Sequence, residues 1–207
     1  MSVAAVVLDI GNVLIEWQPE RFYDGEIGED RRREMFAAVD LHAMNDRVDL
    51  GEPFRDVIYE TADAYPEFRD EIRMWHDRWI ELAHPAISHS VTLTERLQSR
   101  DVPVFALSNF GVESFAYAQT QYAFLHAFDR PYISGQLRMA KPDPAIYAHV
   151  ERTSGIAPEN LLFADDRAEN IAAAQARGWQ THLFDGPAGW AARLVAAGLL
   201  SKKDARP

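Results

Sequence analysis

The side chains of this sequence that can do chemistry stand far apart, each where an apolar run stops. Val3-Ala4-Ala5-Val6-Val7-Leu8 ends at Asp9, Val102 to Leu107 ends at Ser108-Asn109, and Leu161-Leu162-Phe163-Ala164 ends at Asp165-Asp166. Lys141 lies between the last two, in the setting Lys141-Pro142-Asp143-Pro144. Three carboxylates brought together raise each other's pKa unless a cation sits among them. A hard divalent ion with oxygen ligands, Mg²⁺ above all, is the simplest neutraliser. With a hydroxyl, an amide and a lysine beside it, such a centre suits an anionic phosphoryl group, whose transfer depends on positioning and charge neutralisation. Asp9 is then the candidate nucleophile of an aspartyl-phosphate.

Positioning these groups requires a particular frame. Runs that are continuously apolar rather than alternating predict strands buried on both faces, as in a parallel sheet covered by helices. Ligands of such sheets bind beyond the carboxyl ends of the strands, where the polar residues here would project. A fourth strand is predicted over 180–184. Helices are predicted over 91–100, 112–122, 144–153 and 167–177, with Asp143-Pro144 as an N-cap followed by proline and Gly178 as a stop. The resulting βαβα order predicts a doubly wound α/β fold. No strand run is found between Trp17 and about Pro85. There Phe68, Ile72, Trp75, Trp79 and Leu82 mark one face of a long helix, Phe54, Val57, Ile58, Ala62 and Tyr65 a second, and Met35, Phe36 and Val39 a third. The reading is a Rossmann-like core of residues 1–16 and 86–207 with an all-helical cap of residues 17–85 inserted into it.

The segments Val7-Leu8-Asp9-Ile10-Gly11-Asn12-Val13-Leu14, Leu107-Ser108-Asn109, Lys141-Pro142-Asp143-Pro144-Ala145-Ile146-Tyr147 and Phe163-Ala164-Asp165-Asp166-Arg167-Ala168-Glu169-Asn170-Ile171 together resemble the four ordered motifs of the haloacid dehalogenase (HAD) superfamily. The insertion falls where that superfamily often carries its cap. Within it, the motifs look most like the bacterial glucose-1-phosphate phosphatase branch, with the phosphatase domain of epoxide hydrolases more distant. The resemblance implies that Asp9 attacks phosphorus and ligates Mg²⁺, that the Gly11 carbonyl is a second ligand, and that Asp166, four residues before Asn170, is the main ligand of the fourth motif. Asp165 would be a nearby or water-mediated partner. Ser108, Asn109 and Lys141 would hold the phosphoryl oxygens, with Lys141 also offsetting charge at Asp9.

One departure stands out. Most phosphatases of the superfamily carry an aspartate two positions after the nucleophile, as general acid and base, and here that position is Gly11. Without the acid, good leaving groups such as anomeric sugar phosphates, aryl phosphates or acyl phosphates are expected to be favoured. Glu16, or His42 and Asp46 from the cap, are candidate substitutes. The expected activity is a Mg²⁺-dependent phosphatase acting on a small phosphorylated metabolite. The competing readings are a haloacid dehalogenase in which Asp9 attacks carbon, and a non-catalytic binding protein that keeps the fold. Gly11 and the Asp165-Asp166 pair both count against the dehalogenase.

Composition supplies the outer bounds. At 207 residues, 47% apolar and 26% charged, the chain has the composition of a globular protein long enough for a full core. The absence of cysteine excludes thiol nucleophiles and zinc–thiolate sites. A net charge of −11 argues against a polyphosphate backbone as partner, so no nucleic acid is expected. The first apolar stretch lacks a cationic start, and no run approaches the roughly 18 residues of a spanning helix, so no membrane partner is expected and a cytoplasmic location is the default. Of 21 cations 18 are arginine, and apart from Lys202 and Lys203 near the C-terminus Lys141 is the only lysine. The seven histidines do not cluster at ligand spacings. Trp75 and Trp79 read as cap core, and Arg31-Arg32-Arg33 as a solvated helix face.

Overall fold

A computed structural model describes residues 2–207. From the N-terminus, β1 (Ala5–Leu8) and β2 (Ile15–Trp17) precede α1 (Pro19–Ile27), α2 (Glu29–Ala38), α3 (Leu41–Asp49), α4 (Phe54–Ala64), α5 (Arg69–Asp77), α6 (Trp79–Leu82) and β3 (Ala83–Ala86). There follow α7 (Ser88–Gln98), β4 (Val104–Ser108), α8 (Val112–Gln121), β5 (Arg130–Ile133), α9 (Ser134–Leu137) and α10 (Pro144–Ser154). The chain then runs through β6 (Leu161–Asp165), α11 (Ala168–Ala176), β7 (Gln180–Leu183) and α12 (Pro187–Ala196).

Five of the strands form one parallel sheet in the order β5-β4-β1-β6-β7. Its chemistry follows from the strand period of two: Val6 and Leu8 of β1 join one buried cluster while Ala5 and Val7 join another on the opposite face. Both faces are therefore dry, as the unbroken apolar runs predict. Each fully buried side chain of this kind contributes roughly 1.5–3 kcal/mol by leaving water. The predicted helices form, with ends within a few residues of their expected limits. Asp143 caps α10 by accepting from the Ala145 amide at 2.8 Å, with Pro144 in the first turn.

Three features differ from expectation. The long helix predicted over 68–82 is broken at Arg78, whose backbone leaves the helical region (φ −123°, ψ 24°), so the stripe is shared by a 3₁₀ turn, α5 and α6. The edge strand β5 lies outside the predicted strands, because Arg130-Pro131-Tyr132-Ile133 carries neither an apolar run nor alternation and owes its conformation to pairing with β4. The stretch without a strand run in its sequence nevertheless ends in β3, which pairs antiparallel with β2 through Ile15↔Ala86 and Trp17↔Ala83. That ribbon brings the two ends of the helical segment side by side. The Arg31–Arg33 run lies on α2 in ion pairs with Glu34, Glu71, Asp24, Glu20 and Glu29.

Candidate active site

The sheet register brings the polar strand ends together. Leu8 pairs with Ala106 and with Ala164, and the Asp9 amide donates to the Ala164 carbonyl at 3.0 Å, so Asp9 emerges beside both Ser108 and Asp165. One oxygen of Asp9 is heavily used. Its Oδ1 accepts from the Ile10 amide at 2.7 Å and from the Ser108 hydroxyl at 2.7 Å, and lies 3.0 Å from the Lys141 ammonium. No such bond reaches Oδ2 among the described residues, so Asp9 presents one restrained and one free carboxylate oxygen.

Lys141 is 4% exposed, and its Nζ also donates to Asp165 Oδ2 at 2.6 Å. Burial works against its charge, but Asp9 and Asp165 together hold its pKa above the usual lysine range. The lysine is fixed by a reciprocal pair of bonds: Asn109 Oδ1 accepts from the Lys141 amide at 2.8 Å, and Asn109 Nδ2 donates to the Lys141 carbonyl at 2.9 Å. Asn109 thus lines the cavity with its side-chain amide turned onto the Lys141 backbone.

The two adjacent acids differ. Asp165 is fully buried and saturated: Oδ1 accepts from the Arg167 amide at 2.8 Å, Oδ2 from Lys141, and both oxygens lie 3.0 Å from Asn170 Nδ2. Asp166 is half-buried and held only through Oδ2, which accepts from Asn12 Nδ2 at 3.0 Å. Burial raises the Asp166 pKa, and burial likewise pushes Asp9 up to about 7 against the pull of Lys141, with Asp165 adding to the rise. One carboxylate oxygen from each of Asp9, Asp165 and Asp166 lies within 4.8 Å of the others. An all-oxygen donor set of this kind fits a hard divalent cation.

A cavity of about 180 Å³ opens over these groups. Its floor includes Asp9, Gly11, Ser108, Lys141 and Asp166, while Trp17, Trp75, Trp79 and Phe110 provide apolar wall. Trp75 and Trp79 are also core, at 1% and 4% exposure. Of the proposed substitutes for the missing acid, His42 and Asp46 line the cavity; Glu16 instead pairs with Arg21 at 2.6 Å. Sequence reasoning missed Asn12, Asn45 and Asp49. Asn12 stands within the first motif, and its φ of 56°, a conformation asparagine tolerates better than most residues, lets its side chain reach both Asp166 and the Trp17 amide.

The model of the haloacid dehalogenase-like hydrolases matches residues 3–178. The chain belongs to this family. It is 31% identical over 95 residues to a sesquiterpene phosphatase of Aspergillus oryzae, a match covering 45% of this chain and 48% of that protein. The chain thus aligns with about half the length of that relative. Among solved structures, a HAD family enzyme of Bacteroides thetaiotaomicron, in its complex with magnesium and inorganic phosphate, superposes with a TM-score of 0.65 at 23% identity, over 89% of this chain and 96% of that one. The L-2-haloacid dehalogenase of Xanthobacter autotrophicus, carrying covalently bound chloropropionic acid, gives 0.61 at 17% identity, over 98% and 86%. At such identities these neighbours speak for the shared fold.

Proposed function

We propose that this HAD-like hydrolase is a Mg²⁺-dependent phosphatase that cleaves a small, sugar phosphate-like monoester through an aspartyl-phosphate on Asp9. The observation that carries this reading is the buried Lys141 ammonium bridging Asp9 and Asp165 at 3.0 and 2.6 Å, with Asp166 beside them. A cationic clamp next to three carboxylates suits a dianionic phosphoryl group better than a carbon–halogen bond, which brings no such charge to offset. The sesquiterpene phosphatase and the magnesium–phosphate complex of the Bacteroides enzyme point the same way.

In this reading the free Oδ2 of Asp9 attacks phosphorus while Ile10, Ser108 and Lys141 hold Oδ1. Asp9, the Gly11 carbonyl and Asp166 would hold Mg²⁺, which supplies charge neutralisation and orientation of the phosphoryl oxygens. Asp165, saturated by Lys141, Asn170 and Arg167, is assigned to anchoring the lysine, in keeping with an indirect role towards the metal. Ser108, Asn109 and Lys141 line the phosphoryl pocket. The region 17–85 is the cap of a core made of residues 1–16 and 86–207.

The test is hydrolysis of p-nitrophenyl phosphate and a sugar phosphate panel with Mg²⁺, with EDTA, and by Asp9→Asn. Turnover that EDTA abolishes and Asp9→Asn lowers by at least about 10³-fold is expected. Metal-independent halide release from 2-chloropropionate would replace the phosphatase with a dehalogenase, and no turnover of any substrate would leave a binding protein.

A further inference from the structure

Asp49, the last residue of α3, lines the same cavity as Asp9 and Lys141 but comes from the helical insertion rather than from the sheet. Its carboxylate Oδ2 accepts from Asn45 Nδ2 at 2.9 Å, one turn back on α3, and Asn45 in turn accepts through Oδ1 from the Trp75 indole N–H at 3.1 Å. The backbone around it is clamped to the core. The fully buried Ser134 hydroxyl donates to the Asp49 carbonyl at 2.5 Å and accepts from the Phe110 amide at 2.9 Å, tying the end of α3 to the loop after β4. Glycines make this closeness possible: a Cβ on Gly51 would lie 2.5 Å from the Gly135 carbonyl oxygen, and one on Gly111 would lie 2.5 Å from Val48 Cγ1. A side chain delivered through so tight a junction is fixed relative to the sheet edge.

From this placement we propose that Asp49 is the general acid and base of the reaction on Asp9, the role left open at Gly11. The proposal rests on the phosphatase reading above. In the first step the Asp9 Oδ2–P bond forms, the bond from phosphorus to the ester oxygen breaks, and the Asp49 carboxylic acid gives its proton to that departing oxygen. In the second, the Asp49 carboxylate takes a proton from water as the water oxygen bonds to phosphorus and the Asp9–P bond breaks. Inorganic phosphate leaves, and both side chains are restored. Asp49 has the required protonation range. Burial pushes its pKa up to about 7, with Asp46 and Asp9 adding to the rise and Lys141 and the Gly111 amide opposing it. Arg47, on the same helix, is occupied by Glu52 and Glu60, and neither α9 nor residues 109–111 bring a titratable side chain. Asp46 and His42 line the cavity too, but both are solvent-exposed, whereas Asp49 is partly buried.

The experiment compares wild type with the near-isosteric Asp49→Asn on two esters, ethyl phosphate, whose alkoxide needs a proton to leave, and p-nitrophenyl phosphate, whose phenolate does not. Expected is a loss of at least about 10²-fold in kcat/KM, which reports phosphoryl transfer to Asp9, on ethyl phosphate against less than about fivefold in kcat/KM on p-nitrophenyl phosphate, with the alkaline limb of the ethyl phosphate kcat/KM profile removed. Slower hydrolysis of the shared aspartyl-phosphate lowers kcat on both esters. Inorganic phosphate binding by titration calorimetry, unchanged in the variant, identifies a folded protein. Equal losses of kcat/KM on the two esters, no loss on either, or an intact alkaline limb would overturn the role of Asp49 while leaving the phosphatase reading in place. Absence of wild-type turnover on both esters would overturn the two together.

Discussion

The arrangement around Asp9 assigns each residue a consequence. Replacing Lys141 by methionine leaves Asp9 and Asp165 as adjacent buried carboxylates without their shared cation. Breaking a buried ion pair from one side costs about 3–5 kcal/mol, so Lys141→Met should lose stability of that order in urea unfolding with EDTA present. Its turnover of p-nitrophenyl phosphate should fall by about 10²-fold or more. Gly11 offers a complementary test: its φ is not positive, and a Cβ there would meet only Trp17 Cβ, at 3.8 Å. Gly11→Asp in the Asp49→Asn background should therefore fold, and should restore at least about tenfold of the lost ethyl phosphate rate. The preference for good leaving groups inferred from the missing acid belongs, on this account, to Asp49→Asn rather than to the wild type. Asp9, Ser108, Lys141 and the Asp165-Asp166 pair were legible in sequence because each ends or follows a recognisable segment. Asp49 was not, because nothing local separates it from Asp46; their different exposure is set by the junction with Ser134 and Gly135.

At the scale of elements, the loop between β1 and β2 is the part most sensitive to backbone chemistry. Asn12→Gly keeps the left-handed conformation but removes the amide that holds Asp166 Oδ2. Loss of such an orienting partner typically costs ten- to a hundredfold in metal affinity, which Mg²⁺ titration of activity would measure. Gly51 combines a φ of +93° with the close approach to Gly135, so Gly51→Ala should destabilise the protein by about 1–3 kcal/mol and loosen the junction that holds Asp49. Chemical denaturation gives the first quantity, and a larger loss on ethyl than on p-nitrophenyl phosphate reports the second. The central strands were readable from their composition. The β2–β3 ribbon and β5 were not, since each is short and is stabilised by a partner strand rather than by its own pattern.

Over the whole molecule, the cluster of carboxylates links stability to pH and to metal. Asp9 and Asp49 are each raised from 3.8 to about 7 on folding, so the folded protein binds more protons than the unfolded chain in that interval. Their contribution is complete below about 3.8 and is lost as pH rises through about 7, the opposite of a salt-bridged carboxylate. The metal-free protein should therefore lose part of its stability between those values, with a shallower decline in Asp49→Asn, as thermal melts in EDTA would record. Mg²⁺ should raise the Tm. A cation at a hundred times its Kd adds about 2.7 kcal/mol if it binds only the folded state, an increment calorimetry can measure.

The sequence by itself determined four of the five strands of the sheet, the order of its strand-end acids, the isolated lysine and the helical insertion, because all of these depend on composition and period over short windows. Tertiary structure decided which oxygen of Asp9 stays free, which of the paired aspartates is saturated, and which of the two cavity-lining aspartates of α3 is partly buried. Those outcomes depend on contacts between residues far apart in the chain, as Asn12 and Asp166 are, 154 positions from each other. Such contacts are set by sheet register and by the close glycine junction, and neither leaves a local mark in the order of residues.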